Sequence, residues 1–475
     1  MSKFRTEGDS LGTMEIPADA YYGIQSVRGR NNFGITGYKL SSTFIKSMAM
    51  VKKATSLMNA EAGVIDQKIA DVMVQACDEI IDGKFHDQFI TDVIQGGAGT
   101  SMNMNINEVI ANRANELMGG KLGKYEFVTP NDHVNYGQST NDVIPTSGKL
   151  TVIQLCDSLL HELNELTNSL YEKGKEFDHV IKMGRTHLQD AIPIRLGQEF
   201  NAYARPIKRD IARIKETLED FYFVNMGATA VGTGLNADTT YVKDIASKLS
   251  KVTGIEFKSS TDLVDGTRNV DVFVWLSSAL KVCATNLSKM ANDLRLMASG
   301  PRAGFFEINL PMRQPGSSIM PGKVNPVIPE VMNQIAFQVF GNDLTITKAA
   351  EAGQLELNVF EPVLFFNLFQ SIKILKNGAQ TLNYNCIKGI TPNAERTREM
   401  VRNSIGIITA INPHVGYKAA AEVAKESLKT GEKIRDIVVR KGLLTHEELD
   451  VILDVFNMTN PGISGKQIIE DKKNK

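Results

Sequence analysis

The sequence predicts a mainly α protein in three parts: a mixed, mostly helical region over residues 1–141, a central bundle of long helices over 142–395, and a small helical region over 396–475. Three observations carry that prediction. Five stretches place apolar residues every three or four positions through four or five helical turns, the spacing of bundle seams. Strand signals are weak and confined to residues 11–16, 125–129 and 222–232. The periodic stretches are separated by breaks rich in glycine and small polar residues.

In the first part, periodicity suggests short helices around residues 45–60, 66–82 and 105–118, set apart by glycine-rich turns. The first long rod follows Val152, Cys156, Leu159, Leu163, Leu166 and Leu170, and the second runs from Leu196 to Phe221. The third, from Leu276 to Met297, stops at Gly300-Pro301. Val331, Ile335 and Val339 begin the fourth, and Phe365, Leu368, Ile372, Leu375, Ala379 and Leu382 mark the fifth. Helices of this length are rods of roughly 40 Å at about 1.5 Å per residue. A stripe wider than one neighbour can cover predicts a bundle shared between subunits. Beyond Pro392 the periods shorten, and the end, Asp471–Lys475, is expected to fray.

Composition narrows the partners. Lys and Arg number 53 against 54 Asp and Glu, so no excess charge is available to attract nucleic acid or an anionic membrane. The most apolar window, Val363–Phe369, is far shorter than the ~20 residues of a membrane span. The opening MSKFRTEGDS has no apolar segment of the kind that directs secretion, and Cys77, Cys156, Cys283 and Cys386 are widely spaced. Reduced thiols and a cytoplasmic location are the expectation.

Long helices bury their sides, so reactive groups are expected at the breaks, and four breaks stand out. Gln95-Gly-Gly-Ala-Gly-Thr-Ser-Met-Asn-Met-Asn105 offers a backbone that can approach an anion at a helix start, or simply a capped flexible turn. It is neither a P-loop nor a dinucleotide fingerprint. Asn131-Asp-His-Val-Asn-Tyr-Gly-Gln-Ser-Thr-Asn-Asp142 suits recognition of a small carboxylate, or serves as a polar cap for the first rod. Gly184-Arg-Thr-His-Leu-Gln-Asp190 puts Thr186 beside His187 at a helix break. In Gly316-Ser-Ser-Ile-Met-Pro-Gly-Lys-Val-Asn-Pro326, Asn325-Pro326 reads as an N-cap followed by proline at the first helical position, with Lys323 beside a positive helix end. No His, Cys, Asp and Glu cluster has metal-ligand spacing, so neither a metal nor a cofactor is expected. The balance favours a small dicarboxylate held by hydroxyls, amides and one lysine.

These four segments together resemble the signatures of the fumarase/aspartase superfamily, with GSSIMPGKVNP its most specific motif. The likeness runs from Ile16-Pro-Ala-Asp-Ala-Tyr-Tyr-Gly23 to Ile411-Asn-Pro-His-Val-Gly-Tyr417. Gly99-Thr-Ser-Met-Asn-Met-Asn105, Asn325-Pro-Val-Ile-Pro-Glu-Val331 and Glu351-Ala-Gly-Gln-Leu-Glu-Leu-Asn358 follow the aspartase wording. At Tyr136-Gly137 the glycine is the fumarase-like choice. The resemblance implies a central domain of five long helices, contributed four times to a twenty-helix tetramer core, with each active site built from three subunits.

The activity it implies is reversible anti-elimination of ammonia from L-aspartate to give fumarate. By the same resemblance Ser317 is the general base. Thr100, Ser139, Thr140 and Ser318 hold the β-carboxylate; Thr186, Lys323 and Asn325 hold the α-carboxylate. Asn141 and His187, with Thr100, meet the amino group, and Glu330 is the charge partner of His187. A class II fumarase, hydrating fumarate to L-malate, is the nearest alternative, and a catalytically silent scaffold on this fold is a remote one.

Overall fold

Helix-favouring periodicity becomes helix nearly throughout the computed structural model, which describes residues 3–473. An antiparallel hairpin, β1 (Phe4–Asp9) and β2 (Gly12–Pro17), opens the chain. There follow α1 (Ile24–Asn32), α2 (Ser42–Glu61), α3 (Gln67–Ile81) and α4 (Thr100–Leu117), then the long α5 (Thr140–Glu176). A second antiparallel hairpin, β3 (Ile181–Thr186) and β4 (Gln189–Arg195), leads into α6 (Leu196–Leu218). The strands Phe223–Val224 (β5) and Lys258–Ser259 (β6) pair in parallel around α7 (Thr239–Thr253). Next come α8 (Leu263–Arg268), α9 (Asp271–Met297), α10 (Val327–Glu351) and α11 (Glu361–Asn385). Seven shorter α-helices complete the described residues, the last spanning Lys466–Lys473.

The chain divides into two compact units, one of residues up to 161, 210–284 and 335–376, the other of 162–209, 285–334 and 377 onward. In the first, Phe44, Phe221, Phe273, Phe365 and Phe369 pack ring against ring, with centroids 5.2–6.0 Å apart. Gly148 of α5 lies under the Phe365 ring, where any Cβ would collide with it. In the second, Ile181 and Met183 of β3 join Val401, Ile411, Val423, Ile437, Leu449 and other buried aliphatics of the C-terminal helices. Burying each such side chain contributes about 1.5–3 kcal/mol.

The stripes of α5, α9 and α11 are buried along their whole length. The fourth stripe sits differently: Val331 is exposed, and the buried line of α10 is Met332, Ala336, Val339 and Ile346. Of the strand expectations, 11–16 falls mostly on β2, 125–129 forms no strand, and 222–232 is strand only at Phe223 and Val224. No helix among the described residues is long and apolar enough to cross a membrane. All four cysteines are free and buried. The expected fraying at the C-terminus falls partly on Asn474 and Lys475, and the leader reading partly on Met1 and Ser2, outside the described residues; Asp471–Lys473 are helical.

Candidate active site

Within the first unit, three of the four carboxylate and amine candidates cluster at the start of α5. Ser139 precedes the helix; its carbonyl accepts from Val143 N–H (3.1 Å) and its Oγ accepts from Asn141 N–H (3.2 Å). The segment is thus a helix cap, as its composition allowed, and it leaves side chains at a positive helix end. Thr140 Oγ1 is buried and accepts from Asn103 Nδ2 (3.3 Å). Asn141 Nδ2 donates to the Ala230 carbonyl (2.7 Å). Thr100 opens α4 behind the left-handed Gly99, exposed, with its Oγ1 donating to the Gly97 carbonyl (2.7 Å).

A buried polar layer supports this turn. Lys52 Nζ donates to Asn135 Oδ1 and Gln138 Oε1, both at 2.9 Å, and Asn135 Oδ1 also accepts from Asn103 and Asn107. Asp142 Oδ1 accepts from Ser139 N–H (3.0 Å), and Oδ2 from Thr229 N–H (3.1 Å). Burial pushes the Asp142 carboxyl up to about 7, its backbone hydrogen bonds and Lys52 opposing the shift. Burial likewise brings the Lys52 ammonium down to about 7, against the pull of Asp142. Neither residue drew a role from the sequence, although Asp142 closes one of the four polar breaks. A lysine on a helix face gives no local sign of burial.

Within the second unit, Thr186 and His187 lie not at a helix break but at the tip of the β3–β4 hairpin. His187 (φ +55°) and Leu188 (φ +60°) form a left-handed two-residue turn, and Thr186 and His187 are exposed. The hairpin base is pinned by a buried ionic cluster. The fully buried Glu307 pairs with Lys182 (2.9 Å) and Arg185 (2.6 Å), and Lys182 also meets Glu199 (2.9 Å). The Arg185 guanidinium lies 4.1 Å from the centre of the Phe305 ring.

The same unit holds the loop of residues 316–325. Gly316 N–H donates to the Lys323 carbonyl (2.8 Å), closing it, and Asn325 Nδ2 donates to the Gly316 carbonyl (2.7 Å). Asn325 is therefore a loop clasp, not the expected N-cap, and α10 begins at Val327, one residue past the expected proline. Ser317 Oγ accepts two main-chain N–H groups, from Ile319 (3.2 Å) and Met320 (3.0 Å). Ser318 and Lys323 are exposed, and Glu330 is half-buried in the first turn of α10. No hydrogen bond or ion pair joins His187 to Glu330 within the chain. Ser317 Oγ is thus set among fixed main-chain N–H donors.

Comparison with known proteins follows the same lines. A family profile described as lyase matches residues 12–341, and one described as the fumarase C C-terminus matches residues 407–460. The aspartate ammonia-lyase of Bacillus subtilis (strain 168) is 56% identical over 468 residues, 98% of each chain. That of a Bacillus sp is 59% identical over 98% of this chain and 99% of its own. That of Escherichia coli (strain K12) is 47% identical over 99% of each. Among solved structures, the cobalt-bound fumarate lyase:delta crystallin of Brucella melitensis superposes with a TM-score of 0.94 at 47% identity, covering 96% of this chain and all of its own. A class II fumarase from Schistosoma mansoni superposes at 0.92 with 34% identity, covering 96% and 99%.

Proposed function

The chain belongs to the fumarase/aspartase family of lyases, and on that premise we propose how its residues share the reversible anti-elimination of ammonia from L-aspartate to fumarate. It is a carbon–nitrogen lyase of the aspartate ammonia-lyase kind: the relatives that span it almost entirely carry that activity, and the class II fumarase is more distant. The aspartase reading of the sequence therefore stands over the fumarase one.

The difficulty of the reaction is a weakly acidic proton on the carbon beside the β-carboxylate. Its removal leaves an aci-carboxylate with two negative charges on one group, which fixed donors must stabilise. Ser317 takes the proton. The observation that carries this assignment is the pair of main-chain N–H groups aimed at Ser317 Oγ. Donors to the charged form favour an alkoxide, and Lys323 adds positive charge on the same loop. Thr100, Ser139, Thr140 and Ser318 receive the β-carboxylate; Thr186, Lys323 and Asn325 hold the α-carboxylate. Asn141, His187 and Thr100 meet the amine, with Glu330 as charge partner of His187. Gly316 and Gly322 (φ +81°) let the loop open for substrate and close against water.

The assembly is a homotetramer with a twenty-helix core and active sites shared by three subunits, on the three-part domain division read from the sequence. Two features support it. Thr186, His187, Ser318 and Lys323 are exposed in the single chain, as groups completed by another subunit would be. Exposed apolar residues also recur at heptad spacing, Trp275, Val282 and Leu296 on α9 and Phe337 and Leu344 on α10. Free, buried cysteines suit a cytoplasmic setting.

The test is to supply L-aspartate and, separately, L-malate, and follow fumarate by ultraviolet absorbance. Fumarate forms from aspartate; formation from malate alone would reverse the assignment. Ser317→Ala is expected to lower kcat by about 10³-fold or more while assembly and aspartate binding persist, since general bases contribute ~10²–10⁴. Near-normal turnover in that variant would remove Ser317 from the role.

A further inference from the structure

We propose that the loop from Asn225 to Gly234 is a positioning element for the amine half of the reaction. It locks Asn141 with its amide oxygen turned to the ligand, and so determines affinity for ammonia. The inference rests on the reading that Asn141 meets the amine.

An amide that faces a carbonyl must present its nitrogen. Because Asn141 Nδ2 donates to the Ala230 carbonyl at 2.7 Å, the amide is fixed in one orientation, with Oδ1 on its other side as the acceptor offered to a ligand. That oxygen only accepts, which suits the N–H groups of an amine and disfavours a carboxylate oxygen. The main chain of Asn141 is held as well. Asn225, 2% exposed, donates from Nδ2 to the Asn141 carbonyl (3.0 Å) and to Thr267 Oγ1 (3.1 Å), and its Oδ1 accepts from Thr146 Oγ1 (3.4 Å). One of these three bonds reaches Asn141 directly, and the other two hold the buried Asn225 amide in the orientation that makes it.

A third tie runs through the next residue, where Thr229 N–H donates to Asp142 Oδ2 (3.1 Å). Thr229 reaches it only by adopting a left-handed backbone (φ +57°), a conformation unfavourable for a β-branched residue. Gly227 (φ +89°), Gly232 (φ +96°) and Gly234 (φ +69°) take the neighbouring left-handed positions. At Gly232 a Cβ would run into the backbone of Val264 in α8, so the loop is seated directly on that helix. The strand expected over 222–232 gives way to this clamp because the three left-handed residues within it, Gly227, Thr229 and Gly232, cannot belong to a ladder.

Asn225→Asp keeps the size of the side chain but turns a carboxylate on the Asn141 carbonyl. In the direction of fumarate amination, KM for ammonia is expected to rise about tenfold or more, with KM for fumarate changing less than about twofold and Tm and assembly preserved. Thr267→Val, which removes the hydroxyl that accepts from Asn225 and donates to the Leu263 carbonyl within α8, is the gentler variant if Asn225→Asp is insoluble, and it is expected to shift the ammonia KM a few-fold the same way. Asn141→Ala is measured alongside. If Asn141→Ala raises the ammonia KM and neither other variant does, the clamp is overturned while the amine reading survives. Equal rises in both KM values together with a lowered Tm also overturn it, since that is the mark of a structural role alone. An unchanged ammonia KM in Asn141→Ala removes the amine reading, and the clamp with it.

Discussion

A Cβ on Gly316 would lie 2.6 Å from the Lys323 carbonyl oxygen and 2.9 Å from Asn325 N, both of them backbone atoms that cannot step aside. The closure of the loop of residues 316–325 thus depends on a missing methyl group. Gly316→Ala is expected to force the Gly316–Lys323 hydrogen bond apart and shift Ser317 from its donors. Misplacement of a reacting group by ~1 Å costs about 10² in rate, so kcat is expected to fall at least that far. Because the loop is largely exposed, Tm should move by only a few degrees; steady-state kinetics and a thermal melt check both halves. The presence of glycine in this loop was legible from the sequence as backbone freedom. That its value lies in close approach was not, because Lys323 returns to Gly316 only once the loop is closed.

At the scale of elements, the buried Glu361 opens α11 immediately before the aromatic cluster. Burial pushes its carboxyl up to about 8, opposed by Lys149. The folded chain therefore keeps a proton that the unfolded chain releases between about pH 4.5 and 8. The resulting contribution to stability is complete below that window and fades as pH rises through it. Glu361→Gln, permanently neutral, is expected to gain stability relative to the parent as pH rises from about 5 to 8, by roughly 1–3 kcal/mol once the opposing Lys149 is allowed for. Thermal melts across that range measure the gap, and a constant difference would contradict the account. The β3–β4 hairpin teaches the complementary lesson. Lys182, Arg185, Gln189, Asp190 and Arg195 make its strands look polar, so no strand was expected there. Its ionic anchor, Glu307, lies more than a hundred residues away in the chain.

For the whole molecule, the question is what covers Phe337 and Leu344 on α10, which are 62% and 63% exposed in the single chain. In the proposed tetramer they form part of the shared seam, where each buried side chain contributes about 1.5–3 kcal/mol. The double variant Phe337→Glu, Leu344→Glu is expected to sediment as smaller species and to lose activity in proportion. A fully assembled and active double variant would place the seam elsewhere.

The rods, the breaks between them and the glycine-rich loop of residues 316–325 were set by the sequence itself, because helical periodicity and glycine-proline punctuation are local properties. The candidate residues on those segments came from the family resemblance, not from the local patterns. Which face of α10 turns inward, the hairpin that carries His187, and the orientation of the Asn141 amide were decided only by the tertiary structure. Each depends on partners far along the chain: Ala230 for Asn141, Glu307 for the hairpin, and the neighbouring helices for Val331. No local pattern encodes a hydrogen bond or a burial that exists only after distant segments have met.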